Sequence, residues 1–323
     1  MDGRQTTDPK LSAALTAAQL YYLQDLTMDA IARELRTSRS SVSRLLSYAR
    51  ETGLVEITVR SPLETGAVLE QRIAERFKVT AHVVPIPETT SDVDRLERVA
   101  MTAARLLPRY VESNSVVGIA WGSTLGAMSR HLTAKETHGS VIVQMNGAGN
   151  LETTGIEYAS EILERFGRAY SARIQQFPVP AFFDSPLTKE ALWRERSTRR
   201  VLDLLKRMDV AVFGLGSPFS EVPSRVYIGG YLDRADYRSL SDDRAVGDVA
   251  TVFYRADGSW RDISLNARAT GPGFDQLRKV ARRVCVVSGA QKLASLRGAL
   301  AAGLVTDLVL DETLARRLVE SAG

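Results

Sequence analysis

Small residues and hydroxyls suited to holding an anion recur after short apolar runs of this 323-residue sequence. VVGIA (116–120) leads into Gly122, Ser123 and Thr124. These offer backbone N–H groups and two hydroxyls at the start of a helix, a seat for an anion such as a sugar phosphate. VIVQM (141–145) contains Gln144 and leads into Asn146 and Gly147; VAVF (210–213) leads into Gly214 and Gly216, and VCVVSG (284–289) into Lys292. With Asp248 and Arg268 the set combines donors and acceptors with two cations, as a sugar phosphate requires. Each residue also has a plainer reading. Glycine is common at tight strand-to-helix turns, and Asp248 and Arg268 equally suit a surface ion pair. Repetition favours a site, because ligands of open α/β sheets bind at the carboxyl ends of the strands.

A second chemistry lies near the N-terminus. Ser38 is a good N-cap for a helix over Arg39–Glu51, which Gly53 stops. On it Val42, Leu45, Leu46 and Ala49 form one apolar stripe, and Ser40, Ser43, Arg44 and Ser47 project opposite. Short hydroxyl donors around a long cation suit phosphates and base edges in a major groove, and Ser38 and Arg39 begin that face. Between residues 33 and 50 the five arginines Arg33, Arg36, Arg39, Arg44 and Arg50 face one carboxylate, Glu34, so the modest net charge of +4 hides a basic patch. The alternative is a three-helix cap whose serines and arginines are merely solvated.

The elements needed to position these groups are legible in outline. Leu11, Leu15, Ala18, Tyr22 and Leu26 predict a first helix over 11–26, and Thr27 caps a second over Met28–Leu35. With Arg39–Glu51 they make a helix-turn-helix head over residues 1–60. LVEITVR (54–60) alternates like a strand and predicts a small wing whose Arg60 reaches phosphate or is simply a solvated edge. SPLETG (61–66) reads as a linker to an effector-binding and oligomerisation domain over 61–323. There AHVVPI (81–86), VVGIA, VIVQM, VAVFG, VCVVSG and DLVLD (307–311) alternate with helical stretches, which predicts a doubly wound, mostly parallel α/β/α domain. Asp257-Gly258 within TVFYRADGSWRDISL (251–265) predicts a hairpin. RRVLDLLKR (199–207) predicts a helix with a solvated charged face and Val201, Leu202, Leu204 and Leu205 inward.

Composition narrows the function classes. The 44% hydrophobic and 25% charged content is globular, and one cysteine, Cys285, in a strand-like run is best read as packing. His82, His131 and His138 lack metal-ligand or triad spacing, so neither a metal, another cofactor nor a catalytic set is expected. MDGRQTTDPK has no secretion-signal pattern and no run approaches the ~18 apolar residues of a membrane span, so the expectation is a cytoplasmic protein.

LYYLQDLTMDAIARELRTSRSSVSRLL, WGSTL (121–125), NGAGN (146–150), FPVPAFF (177–183), DVAVFGLGS (209–217), AVGDV (245–249) and SGAQKLASLRGALAAGLVTDLVLDETLARRL occur in the order and spacing of one family. Across nearly its whole length the chain resembles SorC-family sugar-binding transcriptional regulators, loosely grouped with DeoR-type regulators. That resemblance implies an effector domain like phosphosugar isomerases or CoA-transferases, binding a phosphorylated sugar or polyol. It also implies a homotetramer, a dimer of dimers, on operator DNA. By the same likeness the pocket includes Gly122, Ser123, Thr124, Asn146, Gly147, Gly214, Gly216, Asp248 and Lys292. The competing reading is a sugar-phosphate isomerase or deaminase with an appended helical domain, with Asp248 or Lys292 as its base. Spacing marks out no acid–base pair, and a basic head would be idle in such an enzyme. A purely structural oligomerisation protein explains neither feature.

Overall fold

The structure is a computed structural model that describes residues 9–55, 62–150, 153–218 and 224–320. The chain divides into two compact units between Ser61 and Pro62.

The first unit holds α1 (Pro9–Tyr22), α2 (Met28–Glu34) and α3 (Arg39–Glu51). The Thr27 and Ser38 hydroxyls accept from the N–H groups of Ala30 (3.3 Å) and Ser41 (3.1 Å), so each cap works as its sequence suggests. The α2–α3 turn carries Arg36 at φ +51°, and Gly53 (φ +76°) follows α3. Ile31, Val42, Leu46 and Ala49 are buried together with Ala14, Ala17, Ala18 and Leu20 of α1. The first helix thus departs from expectation in two ways. It ends at Tyr22 instead of reaching Leu26, and its inward face is largely alanine, with Leu15 left 42% exposed. Small side chains let α1 lie close to its neighbours, and dispersion then replaces the larger apolar payload that leucine would bring. Most of the expected wing, from residue 56, lies outside the described residues.

The second unit does not open on a linker. Pro62 begins α4 (Pro62–Phe77), because proline at a first helical position sacrifices no internal hydrogen bond. Among the described residues nine strands follow: β1 (Thr80–Val84), β2 (Val116–Ile119), β3 (Val141–Gln144), β4 (Arg173–Gln175), β5 (Val210–Phe213), β6 (Ala245–Val249), β7 (Val252–Arg255), β8 (Arg282–Val287) and β9 (Asp307–Asp311). Seven form one sheet in the order β1-β9-β8-β5-β2-β3-β4, every pair parallel. Along its strands the residues alternate between two cores. Ala211, Phe213, Cys285, Val287, Leu308 and Leu310 meet α4 and the helices Arg196–Leu205, Leu293–Ala301 and Glu312–Glu320. Val117, Ile119, Val210, Val212, Val284 and Val309 meet α5 (Asp92–Leu106), α6 (Ser123–Ser129) and α7 (Ile156–Ala169). Both faces are covered, which is why these strands read as unbroken apolar runs.

The chain moves from β2 to β3 and β4 in one direction across the sheet, and from β5 to β8 and β9 in the other. The loops after β2 and β5 therefore part at a topological switch point, leaving a crevice. β6 and β7 pair antiparallel outside the sheet. Their turn is Ala250-Thr251, both at positive φ (+47° and +71°), not the expected Asp257-Gly258. Positive φ at both central residues matches the twist of a tight hairpin, and Asp248 Oδ2 holds the turn by accepting from Thr251 N–H (3.1 Å). Asp257-Gly258 instead makes a turn beyond β7, where Gly258 N–H donates to the Arg255 carbonyl (3.0 Å).

Candidate functional site

After β2 the chain turns through Trp121 into Gly122, the N-cap of α6, at φ +142° and ψ 173°. An L side chain rarely adopts that backbone, so glycine is required, and it leaves Ser123 and Thr124 in an α6 first turn with no side-chain cap. Trp121 Nε1–H donates to the Gly147 carbonyl (2.8 Å) and its ring stacks on Tyr231 (5.0 Å), tying this loop to the one after β3. In that loop Asn146 is 1% exposed.

After β5, Gly214 lies against Thr124, whose Oγ1 would be 3.0 Å from an added Cβ. Gly216 is bridged to β6: its N–H donates to the Asp248 carbonyl (2.9 Å), and a Cβ there would stand 1.6 Å from Asp248 Oδ1. These two glycines let a hydroxyl and a carboxylate from other elements close on the crevice.

Asp248 is buried and accepts from the Tyr227 hydroxyl (2.7 Å) as well as from Thr251. Burial pushes its carboxyl up, opposed by those two hydrogen bonds and by the charge of Lys292. Lys292 is half-buried past the end of β8, and its Nζ donates to Ser224 Oγ (2.8 Å). Burial pulls its ammonium down to about 8, with Asp248 acting against the shift. The end of β9 is braced beneath by a buried pair, Arg95 to Asp311 (3.2 Å); the latter also accepts from Gly289 N–H (2.7 Å) just before Lys292.

Two adjoining spaces result. One is lined by Gly122, Ser123, Thr124, Asn146, Gly214, Gly216 and Asp248. The other shares Ser123, Thr124 and Ser224 with it and adds Lys292, Gln291 and Asp92. Three expected residues stand elsewhere. Gln144 braces the loop, its Nε2 donating to the Asn146 carbonyl (2.8 Å) and its Oε1 accepting from Phe177 N–H (3.1 Å). Gly147 serves packing, since a Cβ would meet the Pro180 carbonyl oxygen at 2.1 Å. Arg268 pairs with Asp236 in a separate groove, the ion-pair alternative its sequence had left open. Ser224, Tyr227 and Thr251 escaped sequence reasoning; Ser224 and Thr251 lie outside helices and strands and Tyr227 in the one-turn helix Arg225–Ile228, with no periodicity or motif to single them out.

In the first unit Ser40, Ser43 and Arg44 are exposed on α3, opposite the buried stripe, with Ser47 half-buried and donated to by Arg50 (3.1 Å). Arg39 is exposed, 3.9 Å from Asp29. Ser38 is occupied as the cap, its Oγ also 2.8 Å from that of Ser40.

A three-helix unit on the same chain as a parallel α/β unit with a polar crevice at its switch point is the arrangement expected of a transcriptional regulator carrying a sugar-binding domain. Residues 61–320 match the family described as "Putative sugar-binding domain". The chain belongs to the SorC family of sugar-binding transcriptional regulators. It is 30% identical to the deoxyribonucleoside regulator of Bacillus subtilis (strain 168) over 96% of this chain and 98% of that one. A crystallised domain of a possible sugar-binding transcriptional regulator from Arthrobacter aurescens TC1 is 57% identical, with a TM-score of 0.76, covering 81% of this chain and all of that domain. Full-length sorbitol operon regulator SorC of Klebsiella pneumoniae shares the fold at 23% identity, with a TM-score of 0.72 over 97% of this chain and 100% of that one.

Proposed function

We propose that the crevice binds a phosphorylated sugar or polyol and that its occupancy changes the affinity of the α3 face for operator DNA. The observation that carries this reading is the convergence of four strand-end segments on two adjoining spaces. Ser123, Thr124 and Lys292 offer donors and positive charge for a phosphate, and Asp248 offers an acceptor for hydroxyls. Arg39, Ser40, Ser43 and Arg44 make the contacts to phosphates and base edges, with Ser38 positioning the helix. Residues 1–60 act as the DNA-binding part and 61–323 as the sensor and oligomerisation part. The protein works without turnover, in the cytoplasm, as a homotetramer that presents heads in pairs; one small head supplies few specific contacts, and linked heads gain affinity through effective concentration. No helix among the described residues is long and apolar enough to cross a membrane.

Thermal denaturation and product assays with a phosphosugar panel test the sensor. A rise in melting temperature without product is expected, whereas turnover would favour the isomerase or deaminase reading. Arg44→Ala tests the head: operator binding in a gel-shift titration should weaken about five- to a hundredfold with little change in melting temperature. Unchanged binding would remove Arg44 from the interface.

A further inference from the structure

Among the described residues five buried side-chain polar atoms lack a hydrogen-bond partner, and one of them, Asn146 Oδ1, belongs to a residue lining the crevice. Buried carboxamide oxygens are nearly always satisfied, so an orphan on a residue of the cavity wall calls for an explanation, and a donor brought by a bound molecule supplies one. The loop does not need this side chain for its own shape. The Asn146 carbonyl is already held by Gln144 Nε2, and the next residue is fixed by Gly147 N–H donating to Thr270 Oγ1 (3.0 Å). Nor does Asp248, on the same wall, satisfy it, since a carboxylate brings no donor and its oxygens already accept from Tyr227 and Thr251.

We propose that Asn146 is the specificity-determining residue of the crevice: its Oδ1 accepts a hydrogen bond from a hydroxyl of the bound sugar, and the site rejects the analogue deoxygenated at that carbon. The proposal rests on the crevice being a phosphosugar site. A phosphate dianion, a carbonyl and a ring oxygen bring no donor, so only a hydroxyl-bearing stretch of such a ligand meets the need of this atom. That orients the molecule, with its phosphate towards Ser123, Thr124 and Lys292 and its hydroxyls towards Asn146. It also sets the preference, because a site built around a hydroxyl leaves its own polar atom buried and unpaired when the hydroxyl is missing.

The test is calorimetric titration of the full-length protein with inorganic phosphate, glycerol 3-phosphate, D-ribose 5-phosphate, D-fructose 6-phosphate and D-glucose 6-phosphate. The tightest organic ligand is then compared with each of its monodeoxy analogues. In the wild type, one analogue should bind about tenfold or more weakly than its parent. In Asn146→Leu, which removes the acceptor while keeping the branched outline of the side chain, that penalty should vanish while the penalties at other carbons persist, the non-additivity expected of two groups in contact. Asn146→Ala should give the same loss of discrimination should leucine disturb folding. Wild-type protein that binds every monodeoxy analogue as tightly as the parent overturns the role of Asn146 and leaves the phosphosugar reading standing. So does an unchanged pattern of penalties in both variants. Failure of every phosphorylated probe to bind overturns the phosphosugar reading, and this proposal with it.

Discussion

Lys292 shows how much one residue's surroundings decide. The amine of a free lysine stays charged to about pH 10.5, whereas burial beside Ser224 lowers this one to about 8. A phosphate at the crevice favours the charged form, so binding takes up protons near that pH. Effector affinity should therefore fall as pH rises from about 7 to 9, and Lys292→Met should bind more weakly at pH 7 and lose most of that dependence in calorimetric titration. Empty protein has the opposite sign: between about 8 and 10.5 the unfolded chain holds the extra proton, so this group's contribution to stability increases with pH across that window. A pH-independent affinity would remove Lys292 from the phosphate site. Lys292 was legible because a glycine-ended apolar run precedes it. Arg268 carries the same charge but answers to Asp236, 32 positions earlier, and no local pattern announces a partner so distant.

At the scale of elements, legibility followed burial. Six strands announced themselves as apolar runs, even β1 at one edge of the sheet; β4 at the other edge did not, because Arg173-Ile174-Gln175 is short, half-buried at best and holds a single apolar residue. The β6–β7 turn was misplaced for a related reason. Ala250 and Thr251 have no turn signature, and their left-handed backbone is supported by the tertiary hydrogen bond to Asp248, while Asp257-Gly258 has the signature without the hairpin. SPLETG misled because proline marks a helix start as well as a break. The bridge between Gly216 and Asp248 joins the β5 loop to this hairpin. Gly216→Ala should force the two apart, costing about 1–3 kcal/mol in chemical denaturation and abolishing effector response. Wild-type stability in that variant would mean the bridge yields freely.

For the whole molecule, the proposed sensing has a thermodynamic constraint. An effector that changes operator affinity by some factor must itself be bound more or less tightly, by the same factor, when operator is present. Titrating effector against protein with and without operator duplex should give matching ratios, and equal affinities would uncouple the two units. The chain's single cysteine offers a view of the same equilibrium without any added probe. Cys285 lies in the middle of β8, fully enclosed, and burial holds its thiol protonated well past neutral pH. An alkylating reagent therefore reaches it only when the sheet beneath the crevice parts, and the rate of modification becomes a clock for that opening. A metabolite that clasps the ends of β2, β5 and β8 together should slow the clock, even one too weak to shift a melting curve.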